Sequence, residues 1–161
     1  MKPAEVSTPS DREVLVKRSF DAPVNLVWQA YTDPALMRRW LTAMPGWSMP
    51  VCEMATHVGG KYRWRWRNES GQEFGFTGEM LEVALHSKIV HTQIFDPGDL
   101  GGSMGGEPSI ITVTFNETNG ITNVATSIKY ASKADRDAAM STGMTDGMEM
   151  SYKQLDGVLA G

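Results

Sequence analysis

The stretch Arg12–Trp40, REVLVKRSFDAPVNLVWQAYTDPALMRRW, decides the fold. Val14, Val16, Arg18 and Phe20 alternate with Glu13, Leu15, Lys17 and Ser19, a period near two that reads as a half-buried edge strand. Pro23 and Pro34 each stand where a helix can begin, because proline fixes φ and has no amide hydrogen to lose in the first turn. Asp33, just before the second proline, can accept hydrogen bonds from the free amides of that turn. Between the prolines, Leu26, Val27, Ala30 and Tyr31 follow helical spacing. A strand feeding two short helices constrains architecture more than chemistry.

The 161 residues are 41% apolar and 21% charged, which suits one domain able to bury roughly 70% of its unfolded surface. That domain is expected over 12–161. Residues 1–11, MKPAEVSTPSD, lack the apolar core of a signal peptide and read as a disordered polar tail. No apolar run approaches the ~20 residues that span a bilayer, so no membrane partner is expected. A net charge of −4 gives no electrostatic case for nucleic acid. The single cysteine, Cys52, rules out an intrachain disulfide and fits a reducing compartment, hence a cytoplasmic location. The Asn-x-Ser/Thr matches at Asn68 and Asn116 are then coincidental. A monomer and a homodimer are both compatible with this composition.

Downstream of the helices, strands are expected over 48–58, 61–67, 73–84, 88–95, 109–116 and 121–130. Gly59-Gly60 marks a turn or bulge. The segment 96–108 holds five glycines and two prolines and reads as a loop, a lid or a disordered link. From Lys133 onward one long helix is expected. Its apolar stripe is Met140, Met144, Met148, Tyr152, Leu155 and Leu159. Gly143, Gly147 and Gly157 each weaken it by about 1 kcal/mol relative to alanine, so it depends on packing against the sheet.

Strand parity shows how that packing arises. Tyr62, Trp64 and Trp66 point one way, and Lys61, Arg63, Arg65 and Arg67 the other. Pairing Trp64 with Phe76 and Trp66 with Phe74 puts the aromatics on one face. The same register sets Arg67 against Glu73 and Lys61 against Glu79. One face is an aromatic floor; the other is a charged exterior.

Strand, two short helices, six antiparallel strands and a long C-terminal helix form an α+β helix-grip arrangement. The sequence resembles the SRPBCC superfamily (START and Bet v-like proteins), and within it the activator of heat-shock protein 90 ATPase homologue-like family. The resemblance rests on Arg18-x-Phe20-x-Ala22-Pro23, Val27-Trp28, Thr32-Asp33-Pro34 and Trp40. Gly59-Gly60-x-Tyr62, Phe76-x-Gly78, Gly143-Met144 and Tyr152-x-x-Leu155 continue it. Family members often carry Asp and Arg two and four residues before the paired glycines; here His57 and Ala55 stand there. The resemblance implies a curved sheet gripping the last helix, with a cavity between them that many superfamily members use for apolar ligands.

The expected lining of that cavity is Trp40, Trp64, Trp66, Phe76, His91, Gln93, Phe95, Met104, Met140, Met144 and Met148. Methionine is flexible and polarisable and suits an adaptable apolar surface, although the same residues can simply fill a core. His91 and Gln93 share the inner face with Ile89 and Phe95; a buried neutral histidine satisfied by backbone or by Tyr130 is the plainer account of His91. His57, His86 and His91 lack metal-ligand spacing, and no metal or other cofactor is expected. Gly101-Gly102-Ser103-Met104-Gly105 matches G-x-S-x-G in letters, but it lies in a loop followed by a strand, not at a strand-to-helix elbow. Cys52 reads as a small buried hydrophobe. Glu82 with His91 is the one acid–base pair that parity allows.

These readings favour a small-molecule-binding domain for an apolar or aromatic ligand, with no catalytic residue assigned. Two alternatives remain. One is a co-regulator of a heat-shock protein 90 chaperone ATPase; the other is a cyclase- or hydrolase-like enzyme using the same cavity.

Overall fold

In the computed structural model, which describes residues 2–42, 44–96, 98 and 107–161, the strand β2 (Glu13–Phe20) forms where the alternation places it. Val14, Val16, Arg18 and Phe20 are all at most 4% exposed. Two features differ from expectation. Glu5–Ser7 forms a short strand, β1, paired antiparallel with Leu15–Lys17, where the sequence suggests a disordered tail. Consequently β2 is not the sheet edge over those residues; β1 caps it.

The helices α1 (Val24–Thr32) and α2 (Pro34–Trp40) start at the two prolines. Asp33 accepts from the Ala35 amide at 2.9 Å and closes the first turn of α2. The inward face of α1 carries Val27, Trp28 and Ala30, whereas Leu26 stays 41% exposed. Trp28 takes the core position that helical spacing offers to Leu26. Its ring meets Phe115 edge-on at 5.2 Å.

The remaining strands are β3 (Trp47–Met54), β4 (Lys61–Asn68), β5 (Glu73–Ala84), β6 (Lys88–Asp96), β7 (Ser109–Thr118) and β8 (Ile121–Lys129). They join β1 and β2 in one antiparallel sheet, ordered β1-β2-β8-β7-β6-β5-β4-β3. The β4–β5 register pairs Trp64 with Phe76, Trp66 with Phe74, Arg67 with Glu73 and Lys61 with Glu79, as cross-strand matching predicts. On the outer face Arg65 binds Glu73 at 2.9 Å and Asp96 at 2.6 Å, and Arg67 binds Glu73 at 2.6 Å, so this half of the basic row is ion-paired. β3 ends at Met54, short of Val58, because residues 55–60 fold into a turn in which Gly60 N donates to His57 O.

A bulge in β5 has a direct effect on the inner face. The β5–β6 register shifts between Met80, opposite His91, and Glu82, opposite Val90. One extra residue flips the alternation. Phe74, Phe76 and Met80 therefore share the face of His91, but beyond the bulge Glu82 turns outward and pairs with Lys88 at 2.9 Å.

The C-terminal segment is two helices, α3 (Lys133–Met140) and α4 (Met144–Leu159), not one. Gly143 adopts φ +77° at the break, a conformation that glycine alone enters without strain. α4 lies against α2, α1, α3 and β2, with Tyr152 and Leu155 buried. Arg18, on β2, is buried beneath it and binds Glu149 at 3.3 Å and Asp156 at 2.8 Å. A sheet with its C-terminal helix clamped across one face is the helix-grip α+β arrangement.

Candidate functional site

The interior falls into two apolar clusters. The larger joins Phe20, Val27, Ile89, Ile111, Phe115 and Leu155 among others. The smaller consists of Met37, Met49, Cys52 and Trp66. Four side chains, Leu41, Met54, Trp64 and Phe76, are only partly buried and pack against both clusters. They form a seam. Around it Trp66 stacks on Phe74 at 5.4 Å, and Phe76 meets Trp66 at 5.9 Å and Phe95 at 5.5 Å. The cross-strand pairs Trp64–Phe76 and Phe76–Phe95 hold these rings in place.

Three tryptophans of the expected lining differ in how their indole N–H groups are satisfied. Trp40 is 4% exposed and donates to Ala30 O at 2.9 Å; Trp66 is 8% exposed and donates to Leu41 O at 2.9 Å. Both are core side chains anchored to backbone. Trp64 is different. Its Nε1 is buried and has no hydrogen-bond partner among the described residues, a state that costs roughly 1–3 kcal/mol.

His91 stands beside it, edge-on, with ring centroids 6.4 Å apart. The imidazole is 6% exposed, and burial lowers its pKa from the ordinary value. Its Nδ1 lies 2.9 Å from Thr92 O and 3.0 Å from the Tyr62 hydroxyl, which itself donates to Thr92 O at 2.6 Å. Since Thr92 O only accepts, the proton of the neutral ring sits on Nδ1. Nε2 then presents a lone pair. The partner foreseen for His91, Tyr130, instead points its hydroxyl at Met144 Sδ, 3.4 Å away. Tyr62 fits here because Gly78 lies under its ring; a Cβ on Gly78 would stand 2.4 Å from Tyr62 Cε1.

The other expected lining residues sit as follows. Phe95 and Gln93 are partly buried on β6, and Met140, Met144 and Met148 are partly buried against the larger cluster. Met104 and the Gly101–Gly105 motif lie outside the described residues. Glu82, turned outward by the bulge and paired with Lys88, does not converge with His91, and the two form no acid–base pair. Cys52 is buried opposite Trp64, and burial raises its thiol pKa, which fits a packed apolar side chain. Among the described residues no three His, Cys, Asp or Glu side chains gather as a metal would require.

Two open depressions mark the described surface. One, of about 350 Å³, is lined by Arg39, Lys153, Gln154, Gly157 and Val158, on α2 and α4. The other, of about 230 Å³, is lined by Pro45, Gly46, Trp47, Asn68, Glu69 and Ser70. Neither involves an expected lining residue. The seam itself is lined by the partly buried Leu41, Met54, Trp64 and Phe76.

Sequence reasoning does not place Leu41, Met54 or Tyr62 in the site. Tyr62 was within reach, since it shares parity with Trp64 and Trp66. Leu41 follows α2, and no local pattern reports that it packs under β4.

Comparison with known proteins fits this architecture. The family model described as "Activator of Hsp90 ATPase homolog 1-like protein" matches residues 21–160. A crystal structure of a Rhodobacter sphaeroides protein is 29% identical, covers 99% of both chains and superposes with a TM-score of 0.90. Protein Ms6760 from Mycobacterium smegmatis is 22% identical over 98% of this chain and 97% of its own, with a TM-score of 0.85. An AHSA1-like protein from Aeromonas hydrophila is 19% identical over 91% and 93%, with a TM-score of 0.70. No curated protein matches. With the match running from the residue after β2 through α4, the chain belongs to the activator of Hsp90 ATPase homolog 1-like family.

Proposed function

We propose that this protein binds a small apolar or aromatic molecule at the seam between its two core clusters. One observation carries the reading: Leu41, Met54, Trp64 and Phe76 touch both clusters yet remain partly exposed. The exposed parts of these side chains are apolar surface that a guest can cover. Here the seam is bordered by thioethers and aromatic faces, which repack at low cost around a guest. Met140, Met144 and Met148, partly buried against the larger cluster alone, offer a further apolar surface on α3 and α4.

Fluorescence titration with N-phenyl-1-naphthylamine tests this. Saturable one-to-one enhancement is expected, weakened about tenfold or more in Phe76→Ala, which removes an aromatic face from the seam. Enhancement that fails to saturate, or that Phe76→Ala leaves unchanged, contradicts the reading.

A second reading, as a module acting on a heat-shock protein 90 chaperone, draws on the family's name and on exposed apolar side chains. Val58 is 67% and Leu81 is 47% exposed. The Gly59 N to Met80 O hydrogen bond brings their segments together. Loss of chaperone capture in a Val58→Ser, Leu81→Ser double variant favours it; equal capture by both proteins, or capture by neither, counts against it.

A further inference from the structure

We infer that the ligand of the seam carries a hydroxyl group, received by Trp64 Nε1 as donor and His91 Nε2 as acceptor; this rests on the seam being the binding site. The starting point is the contrast among the indoles. Trp40 and Trp66 each reach a backbone carbonyl, so the fold does satisfy buried indole N–H groups where it can. Trp64 Nε1 is equally enclosed but has no partner among the described residues. A donor left in that state is destabilising unless an acceptor arrives. The acceptor cannot be its cross-strand neighbours, since Phe76 and Cys52 flank Trp64 and offer at most a thiol.

His91 supplies the complementary half. Its Nδ1 is committed to Thr92 O and the Tyr62 hydroxyl, which leaves Nε2 with a lone pair and no hydrogen bond among the described residues. A hydroxyl accepts a hydrogen bond from Trp64 Nε1 and donates one to His91 Nε2, so one group satisfies both. A carbonyl or ether satisfies only Trp64, and a hydrocarbon satisfies neither. The rest of the guest meets Met54 and Phe76, so its body is apolar or aromatic. Phenols and apolar alcohols have this shape. Entry requires Met54 to repack, as an unbranched thioether can.

The matched probes are 2-naphthol and naphthalene, which differ by one hydroxyl, competed against bound N-phenyl-1-naphthylamine. A site built to hydrogen-bond a hydroxyl rejects the analogue lacking it, because its own polar groups are then left unpaired. 2-Naphthol is expected to displace the dye at a concentration at least tenfold below naphthalene. It should also move the Trp64 indole ¹⁵N–¹H resonance, which naphthalene leaves nearly in place. In Trp64→Phe the preference should shrink severalfold while naphthalene displaces as before. Equal displacement by the two probes overturns the hydroxyl assignment and leaves apolar binding standing. Preference retained in full by Trp64→Phe overturns Trp64 as the donor. Displacement by neither probe, with the dye itself unbound, overturns the seam as a site. If Trp64→Phe does not fold, the wild-type comparison and the indole resonance decide alone.

Discussion

His91 is the residue whose surroundings speak most directly to solution behaviour. Burial lowers its folded-state pKa below the ordinary histidine value, whereas the unfolded chain titrates near 6.5. As pH falls through about 6.5, the unfolded state takes up a proton that the folded state refuses, so stability declines on acidification. Denaturant unfolding at a series of pH values should show this decline as pH falls below about 6.5. Its slope is at most ~1.4 kcal/mol per pH unit from one proton. In His91→Gln the curve should be flatter over that interval; an unchanged slope contradicts the placement of His91 as a buried neutral ring. Parity alone was enough to put His91 inward. It was not enough for Glu82, because the bulge after Met80 inserts one residue and reverses every later position on β5. No single residue in that stretch announces the bulge.

Among the elements, the strands were the most legible. β4 and β5 are fixed by agreeing pairs, aromatic on one face and oppositely charged on the other, and any slip breaks all of them together. The C-terminal helix was less so. Glycine is tolerated inside helices at a modest cost, so Gly143, Gly147 and Gly157 look alike in sequence, yet only Gly143 has positive φ. Opposite signs are therefore expected. Gly143→Ala forces a side chain into the left-handed region and should cost about 1–2 kcal/mol, a drop in Tm of roughly 3–6 °C. Gly147→Ala, helical and with open space around its Cβ, should stabilise by about 0.5–1 kcal/mol. Thermal melts of both check the break; matching signs contradict it.

The clamp of α4 onto β2 also belongs to this scale. An inward Arg at position 18 demands carboxylate partners, but sequence does not say which of nineteen acidic residues answer. Glu149 and Asp156 do, one turn apart from Tyr152 on either side. Arg18→Met leaves two part-buried carboxylates facing each other without a cation. A loss of roughly 3 kcal/mol is expected, at the low end of the range for buried pairs because both acids keep some contact with water. Adding Glu149→Gln and Asp156→Asn should recover part of it. The denaturation midpoint reads both.

At the scale of the molecule, the order of elements was legible because each boundary has a local cause: two helix-starting prolines, Asn119-Gly120 turning β7 into β8 with both residues at positive φ, and strands of clear parity. What the interior encloses was not, since a partly filled seam and an open cavity draw on the same aromatic and methionine residues. The division into two clusters depends on how α2 and Leu41 settle under β3 and β4, a tertiary outcome with no periodic signature. The central claim is that a guest sits at their junction.

The eleven methionines report on it directly. With ¹³C-methyl methionine labelling, N-phenyl-1-naphthylamine should shift the methyl signal of Met54, which packs against both clusters. Met44 and Met150, 39% and 42% exposed on the surface, should stay in place. Shifts confined to Met44 and Met150, with Met54 unmoved at saturation, would show that the apolar guest binds elsewhere and contradict the account.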